Sequence, residues 1–589
     1  MMKDVIVIGA GGGGAVVAKE LAARGLDVLM LEAGAAHTNP EQEFSRLEVD
    51  ANNSLSGYFR FGPANRSKPA FRRELPQLSA ISQVSGVGGT TQHYYGNSPR
   101  AMPGTFLGYS GSDTNAYNTN YLFPFSYKEL IPYYQWVEET LPVQTAPMGR
   151  KELAFFLGAE KMGLPFQNTK DIAHAAFRPQ ENAILQPRGN AGKTTDPAKL
   201  QFPLASGCTF CGHCFQGCII PRRAPRNLKA KRSTDNSYMP MALTADLWAN
   251  RGKPVTLISD AFATRIHTDN NSVARAVTWR IGATGESATE EAHVIVMACG
   301  AIETPRLWLM SGLPNPNGWV GRGLTDHFLD VIVGLMPFDI GASKGPGSAA
   351  RADFPGYGSI EICSVSPAFL AASLANSDAG MAGLYDNAFG GSRYEADTMG
   401  RIIGADMKNL LAQLDHVMYL GIMTDDDVEA QNRITLSTTQ PPDEHGQIPR
   451  VEIHHRNRSE RTIRNREYLA KQAIQLLRKA GATTVHRIAY PPYMFHPHST
   501  MRMGLNEADS ILDANAEARW VKRLFVADNS ALANSLGGPN PTLTTQALAT
   551  RTAEKIFQLY FEGEPWINKE KPVPSIDSTV TQAVIARNL

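Results

Sequence analysis

The first thirty residues alternate between two apolar runs and one helical pattern. Four consecutive β-branched residues, Val5 to Ile8, precede a glycine-rich turn. The run AVVAKELAARG then carries apolar residues at helical spacing up to Gly25, and the strand-sized run DVLMLE ends in Glu32. Strand-sized apolar runs on either side of an amphipathic helix predict a βαβ unit with parallel strands.

Similar patterns recur along the rest of the chain. Strand-like runs occupy residues 331–338, 416–423, 433–437 and 450–454, and a long amphipathic helix is expected at about 460–480. Near the C-terminus a strand at 524–527 precedes a glycine-rich loop and a helix that starts at Pro541. The alternation of strands and helices predicts an α/β protein.

The length and net charge of the chain limit the classes of protein to which it can belong. The chain has 589 residues, more than one hydrophobic core usually organises, so at least two structural regions are expected. A net charge of +1 gives no electrostatic basis for binding nucleic acid or an anionic membrane. The longest apolar runs are far shorter than the roughly 20 residues of a transmembrane helix, so we expect none. A strand begins within four residues of the N-terminus, which predicts a cytoplasmic protein, or a periplasmic one exported with a signal-bearing subunit.

The turn after the first strand has the spacing of a dinucleotide site. Gly9, Gly11 and Gly14 satisfy G-x-G-x-x-G, and Glu32 follows the second strand. Such glycines let backbone N–H groups approach a pyrophosphate at a helix N-terminus, and the acid accepts hydrogen bonds from the adenosine ribose. The motif predicts dinucleotide binding and leaves NAD and FAD open.

Five further blocks resemble the glucose-methanol-choline (GMC) family of flavoprotein oxidoreductases. They are SGVGGTTQHYYGNSPR (85–100), ACGAIETPRLWLMSGL (298–313), VGRGLTDH (320–327), HPHSTMRMG (496–504) and the C-terminal block from residue 524. The resemblance implies FAD, held by a doubly wound, Rossmann-like domain assembled from the discontinuous segments 1–100, 200–330 and 496–562. It further implies an α+β substrate domain with a large antiparallel sheet, built from 101–199 and 331–495, and a C-terminal tail at 563–589.

The resemblance also implies the catalytic residues. His496 occupies the position of the base that takes the hydroxyl proton of an alcohol while hydride passes to flavin N5, and Asn540 occupies the position of its companion. His498 departs from the residue that is usual at its position, which leaves open which histidine faces the substrate. Asn540 followed by Pro541 is also the sequence of a plain helix N-cap.

The expected FAD contacts extend beyond the first turn. By resemblance they include Gly88, Gly89, Thr90, His93, Asn97, Ala263, Asp528, Pro541 and Thr542. The block around His93 resembles the flavin loop of pyranose oxidase, in which a histidine carries the flavin covalently. It also resembles loops of sugar dehydrogenases without that bond. Both states of His93 remain open.

Four cysteines form a compact run. Cys208, Cys211, Cys214 and Cys218 follow C-x2-C-x2-C-x3-C within an insert at 207–222, a spacing that binds iron–sulfur clusters in bacterial ferredoxins. Ile219 rather than proline follows the run. The electron-transferring branch of the GMC family, which includes glucose, gluconate and fructose dehydrogenases, carries an iron–sulfur cysteine cluster in this region. An iron–sulfur cluster is therefore expected, with structural zinc or metal-free thiols and disulfides as alternatives. Cys299 and Cys363 are expected in the core.

These features predict an FAD-dependent dehydrogenase acting on a CH–OH group of a sugar, polyol or cyclic secondary alcohol. Its electrons would pass through the cluster to a protein acceptor, such as a cytochrome or a small companion subunit. An oxygen-using oxidase with a structural cysteine cluster is the first alternative. A flavin-bearing lyase or scaffold without net redox chemistry is the second.

Overall fold

The computed structural model describes residues 2–43, 72–76, 80–81, 83–111, 117, 120–168, 174–281, 285–375, 395–454, 458–488 and 493–589. Its strands are β1 (Lys3–Ile8), β2 (Val28–Leu31), β3 (Ala80–Ile81), β4 (Gln144–Thr145), β5 (Ala176–Pro179), β6 (Glu181–Asn182), β7 (Arg188–Gly189), β8 (Ala205–Ser206), β9 (Thr256–Ile258), β10 (Ala261–Thr268), β11 (Ala274–Ile281), β12 (Ser287–Met297), β13 (Asp330–Leu335), β14 (Ala350–Phe354), β15 (Gly358–Cys363), β16 (Thr398–Met399), β17 (Val417–Thr424), β18 (Arg433–Leu436), β19 (Pro449–Glu452), β20 (Thr484–Arg487), β21 (Tyr493–Met494) and β22 (Leu524–Val526).

The helices are numbered separately from the strands, in the order in which they occur along the chain. They are α1 (Gly14–Ala22), α2 (Pro40–Glu43), α3 (Tyr127–Thr140), α4 (Arg150–Lys161), α5 (Tyr238–Leu243), α6 (Ala245–Trp248), α7 (Gly300–Met310), α8 (Pro367–Ala375), α9 (Gly404–Ala412), α10 (Glu460–Ala480), α11 (Thr542–Tyr560) and α12 (Ser578–Ala586). No helix in the part of the chain that the structure describes is long and apolar enough to cross a membrane.

The first sheet contains the predicted βαβ unit. Its order is β10-β11-β12-β1-β2-β9, and β22 also pairs with β12. The strands β12, β1, β2, β9 and β22 run parallel, whereas β10 and β11 are antiparallel to their neighbours. Val5, Ile6 and Val7 are fully buried, because helices cover both faces of a parallel sheet. The α/β architecture predicted from the sequence is confirmed.

The second sheet lies beside the first and has the order β16-β20-β13-β17-β15-β14-β5. All neighbouring strands are antiparallel except β16 and β20. Helix α10 packs on one face of this sheet; the Ser459 side chain accepts the Thr462 N–H at its start, and Gly481 adopts φ +102° at its end. The bounds of α10 agree with the predicted helix at 460–480.

Three details differ from the sequence expectations. The predicted strands at 433–437 and 450–454 form β18 and β19, which pair as a separate two-stranded sheet outside the large sheet. The predicted helix at Pro541 begins one residue later, because Pro541 is its N-cap. The C-terminal tail at 563–589, whose sequence predicts a loose segment, is packed, since Trp566 is buried and α12 contacts α6. Residues 44–71 of the predicted 1–100 segment lie outside the described residues.

Candidate active site

One cavity lies between the two sheets, at the C-terminal ends of β1 and β2. The glycine turn after β1 forms one wall. A Cβ on Gly13 would lie 1.7 Å from the Ala527 carbonyl oxygen, and one on Gly14 would lie 2.0 Å from the Gly9 carbonyl oxygen. Side chains are thus excluded from the turn, and the backbone of Gly9, Gly11, Gly12 and Gly13 lines the cavity directly. This geometry fits the diphosphate of a dinucleotide at the N-terminus of α1.

Glu32 holds the turn from the end of β2. One carboxylate oxygen accepts the Ala10 N–H at 2.8 Å, and the other accepts the N–H groups of Gly34 and Gly86 at 2.8 and 2.9 Å. Burial raises the pKa of Glu32, and these backbone donors oppose the shift. The carboxylate therefore joins three loops while it also lines the cavity.

His93 lies in the segment 85–100, named the flavin loop here, and contacts the cysteine run at 208–218. Its Nδ1 is 2.9 Å from the Phe215 carbonyl oxygen, and both residues line the cavity. Because a carbonyl only accepts, Nδ1 carries the proton and Nε2 keeps its lone pair. Burial lowers the pKa of His93 to about 4, so the imidazole is neutral at physiological pH.

Lys231 ties the flavin loop to the cysteine run. Its buried ammonium donates to the carbonyls of Gln92 and Tyr94, both at 2.7 Å, and to that of Cys214 at 2.5 Å. Burial lowers the pKa of Lys231. The cysteine run is therefore fixed to the loop that lines the cavity.

His496 reaches the cavity from the loop after β21. Asp326 accepts the N–H groups of Phe495 and His496 at 3.1 and 2.9 Å and fixes this backbone. Burial and, to a smaller extent, the neighbouring His498 lower the pKa of His496 to about 3, so the ring is neutral at physiological pH. The Nδ1 of His496 is buried without a hydrogen-bond partner among the described residues.

His498 is separated from the cavity. It is fully buried, and its Nδ1 lies 2.5 Å from the His496 carbonyl oxygen, which makes it a structural support of the loop. Of the two histidines, His496 lines the cavity and His498 does not.

Asn540 is held by a buried charged network. Glu361 accepts from Asn97 Nδ2 at 2.8 Å and from Arg351 Nη1 at 3.1 Å, and it also accepts from Asn540. Arg351 Nη1 lies 3.4 Å from Asn540 Oδ1 and its Nε donates to Asp353 at 2.8 Å. Burial raises the pKa of Glu361, and the Arg351 guanidinium opposes the shift. The Asn540 amide is therefore fixed at both its oxygen and its nitrogen.

The N-terminus of α11 also faces the cavity. Pro541, Thr542 and Thr545 line it, so the positive end of a 19-residue helix dipole points into the site. Asp528, at the end of β22, accepts the Gly300 N–H at 2.9 Å and the Thr304 hydroxyl at 2.6 Å. It thereby joins α7 to the loop that precedes α11.

Two domain models described as GMC oxidoreductase match the chain, the N-terminal model at residues 178–329 and the C-terminal model at 428–549. The chain belongs to the GMC oxidoreductase family. Membership confirms the predicted FAD-dependent enzyme of CH–OH oxidation, and the glycine turn and the α11 N-terminus fit FAD.

Relatives match this GMC oxidoreductase along nearly its whole length. Paromamine 6'-oxidase of Streptomyces fradiae is 28% identical over 94% of this chain and 91% of its own. The 2-methyl-1,2-propanediol dehydrogenase of Mycolicibacterium austroafricanum is 26% identical over 95% of each chain. The fructose dehydrogenase large subunit of Gluconobacter japonicus is 24% identical over 95% of this chain and 98% of its own.

Solved structures agree with the fold. Formate oxidase superposes with a TM-score of 0.61 at 12% identity, over 95% of this chain and 99% of its own. Pyridoxine 4-oxidase from Mesorbium loti gives a TM-score of 0.60 at 16% identity, over 95% and 100% of the two chains. These likenesses show that the GMC oxidoreductase has the fold of both enzymes.

Most residues predicted for the site line the cavity of this GMC oxidoreductase. They are Gly9, Gly11, Glu32, Gly89, Thr90, His93, Asn97, Ala263, His496, Asp528, Asn540, Pro541 and Thr542. Gly14 and Gly88 do not line the cavity; a Cβ added to either one would collide with Gly9 or Asp235, respectively. The cofactor contacts of these residues stay predictions.

The sequence analysis did not identify several residues of the site. Glu361, Phe215 and Tyr94 line the cavity without having been predicted. A single acid between Ile360 and Ile362 in an apolar strand is the signal that points to Glu361. Cys299 and Cys363 were expected in the core, but both also line the cavity.

The four clustered cysteines lie beside the flavin loop and are not disulfide-bonded. Backbone N–H groups face each sulfur: Phe210 N and Lys231 N lie 3.5 Å from Cys208 Sγ and Cys218 Sγ, and those of His213 and Gly347 reach Cys211 and Cys214. Burial raises the pKa of Cys208 and Cys214, and that of Cys211 to about 12.

This donor set has the chemistry of a thiolate-bound metal site, because backbone donors stabilise negative charge on sulfur. However, no group of three or more His, Cys, Asp or Glu residues among those described is arranged to hold a metal ion. The iron–sulfur cluster therefore stays a prediction.

Proposed function

We propose that this enzyme oxidises an alcohol, with His496 accepting the hydroxyl proton as hydride leaves the carbinol carbon. The observation that carries the proposal is the neutral His496 ring, which lines the same cavity as the glycine turn. A neutral imidazole with a free nitrogen can take a proton from a bound alcohol. Bound FAD supplies the hydride acceptor.

Asn540 orients the alcohol oxygen. Its amide nitrogen has two N–H donors, and one of them is used by Glu361. The second can donate to the substrate oxygen while Arg351 holds the amide oxygen at 3.4 Å. The α11 N-terminus adds partial positive charge where negative charge develops.

The test is anaerobic mixing of the purified holoenzyme with a panel of alcohols. Loss of the flavin absorbance on mixing is the expected result. If dithionite bleaches the flavin but no alcohol of the panel does, the enzyme is a lyase or scaffold and the proposal fails.

We also propose that the cysteine run binds an iron–sulfur cluster and delivers electrons to a protein acceptor. Four features support this: the spacing of the cysteines, the backbone donors at every sulfur, the Lys231 tie to the flavin loop, and the contact between Phe215 and His93. Such an acceptor subunit, if it bears a signal sequence, would carry the enzyme to the periplasm.

Iron, zinc and sulfide analysis of protein purified without oxygen tests the cluster. The proposal requires iron and sulfide, whereas zinc or no metal makes the cysteine run structural. Oxygen consumption during turnover tests the oxidase alternative, which predicts peroxide in proportion to substrate.

His93 Nε2 is the atom available for a covalent bond to the flavin, because Nδ1 is engaged with Phe215. Acid precipitation decides between the two states. Colour that stays with the protein indicates a bond through His93, and free flavin in the supernatant indicates a noncovalent contact.

A further inference from the structure

The substrate side of the cavity is formed by one face of the second sheet. Along β13, β15 and β17 the side chains alternate between the two faces, so Ile332, Ile360 and Ile422 pack with α10 in one apolar cluster. The opposite face lines the cavity with Val331, Cys363, Tyr419 and Met423, joined by Leu329 and Phe369. These six side chains are apolar or aromatic.

The polar groups on this side already have partners. The hydroxyl of Tyr94 donates to the Arg232 carbonyl at 2.9 Å, and that of Tyr95 donates to the Ser364 carbonyl at 3.3 Å. The Tyr419 hydroxyl is bonded to the Ser373 hydroxyl at 3.1 Å.

Glu361 is also fully engaged. Its two carboxylate oxygens accept from Arg351 and Asn97, and Asn540 adds a further donor. The neutral His496 ring and the Asn540 amide keep unused hydrogen-bonding capacity on this side, and so do Asn97 Oδ1 and His93 Nε2. His496 and Asn540 line the cavity where the reacting hydroxyl is proposed to bind.

We infer that the substrate is an alcohol whose reacting hydroxyl is attached to an apolar body, rather than a sugar or polyol; this rests on the proposed function. A sugar brings several hydroxyls, and each one that loses water without gaining a partner costs about 1–3 kcal/mol. An apolar body gains from burial against Leu329, Val331 and Met423.

Gly421 leaves space for that body at the centre of the sheet. It pairs with Val331 on one side and Glu361 on the other. A Cβ at this position would lie 3.7 Å from both Cys363 Sγ and Met423 Cε, which is ordinary van der Waals contact. Gly421→Ala should therefore fold normally and project a methyl group into the cavity.

The test compares cyclohexanol with glucose, and both with propan-2-ol as a small alcohol. In the wild-type enzyme, anaerobic flavin reduction should be at least about a hundredfold more efficient with cyclohexanol than with glucose. Gly421→Ala should lower the efficiency with cyclohexanol about tenfold more than the efficiency with propan-2-ol. Calorimetric binding of cyclohexanone should weaken in the same variant.

The outcomes separate the two proposals. If glucose reduces the flavin more efficiently than cyclohexanol, the enzyme oxidises alcohols and the inferred apolar substrate is wrong. If cyclohexanol and propan-2-ol lose the same factor in Gly421→Ala, the body does not lie over Gly421 and the inference also fails. If no alcohol reduces the flavin, the proposed function fails and the inference falls with it.

Discussion

Replacement of Glu361 by glutamine tests the network that fixes Asn540. Glu361 is 1% exposed and accepts from Arg351 and Asn97 at 3.1 and 2.8 Å. Hydrogen bonds to charged groups contribute about 1.5–3 kcal/mol each. In glutamine, an amide nitrogen replaces one of the two carboxylate oxygens, so a hydrogen-bond donor would face another donor. We therefore expect the free energy of unfolding to fall by about 3 kcal/mol.

The catalytic effect is separable from this loss of stability. With its nitrogen no longer held, Asn540 should orient the alcohol less well, and we expect flavin reduction to slow by about tenfold, a barrier increase of about 1.4 kcal/mol. Stopped-flow absorbance under anaerobic conditions measures the rate, and urea unfolding measures the stability.

Asp353→Asn is the matched control. Asp353 accepts from Arg351 at 2.8 Å and from Arg178 at 2.9 Å, but it does not line the cavity. This variant should lose stability to a similar degree, but flavin reduction should slow less than in Glu361→Gln, because Asp353 acts on Asn540 only through Arg351. Equal slowing in both variants, or full-rate reduction in Glu361→Gln, would refute the positioning role.

Three further predictions follow from single contacts. Gly14→Ala places a Cβ 2.0 Å from a backbone oxygen and should yield protein without flavin, whereas Gly421→Ala should keep full flavin content; absorbance per chain compares them. Lys231→Met leaves three buried carbonyls without their donor and should cost about 3 kcal/mol of stability by urea unfolding; a wild-type midpoint would contradict this. His498 has a folded pKa of about 4, below its unfolded value of about 6.5, so the unfolded state binds the extra proton between these values. Stability should therefore fall by about 3 kcal/mol as pH drops from 6.5 to 4, and His498→Asn should show a correspondingly smaller fall in thermal unfolding.

The sequence was sufficient where the signal is local. The βαβ unit, the glycine turn and α10 follow from periodicity and from residues that are close along the chain. His496 and Asn540 were predicted from short motifs, and both line the cavity. These features need no knowledge of which distant segments meet.

The features that the sequence did not predict depend on contacts between segments that are distant along the chain. Glu361 meets Asn540 because the register of β15 against β17 turns it toward α11, and no local pattern encodes that register. The pairing of β18 with β19 outside the large sheet has the same origin, since strand propensity does not specify a partner. Lys231 was missed because a lysine between ordinary residues gives no sign that it will be buried.

The rate of flavin reduction in His496→Ala shows whether this histidine is the catalytic base. An apolar alcohol that reduces the wild-type flavin is used in protiated form and with deuterium at the carbinol carbon, under anaerobic stopped-flow conditions. Wild type should show a primary isotope effect, and flavin reduction in His496→Ala should be slower by about a hundredfold or more, with FAD still bound. Reduction of the variant at the wild-type rate, with FAD bound, would contradict the role of His496 as the base.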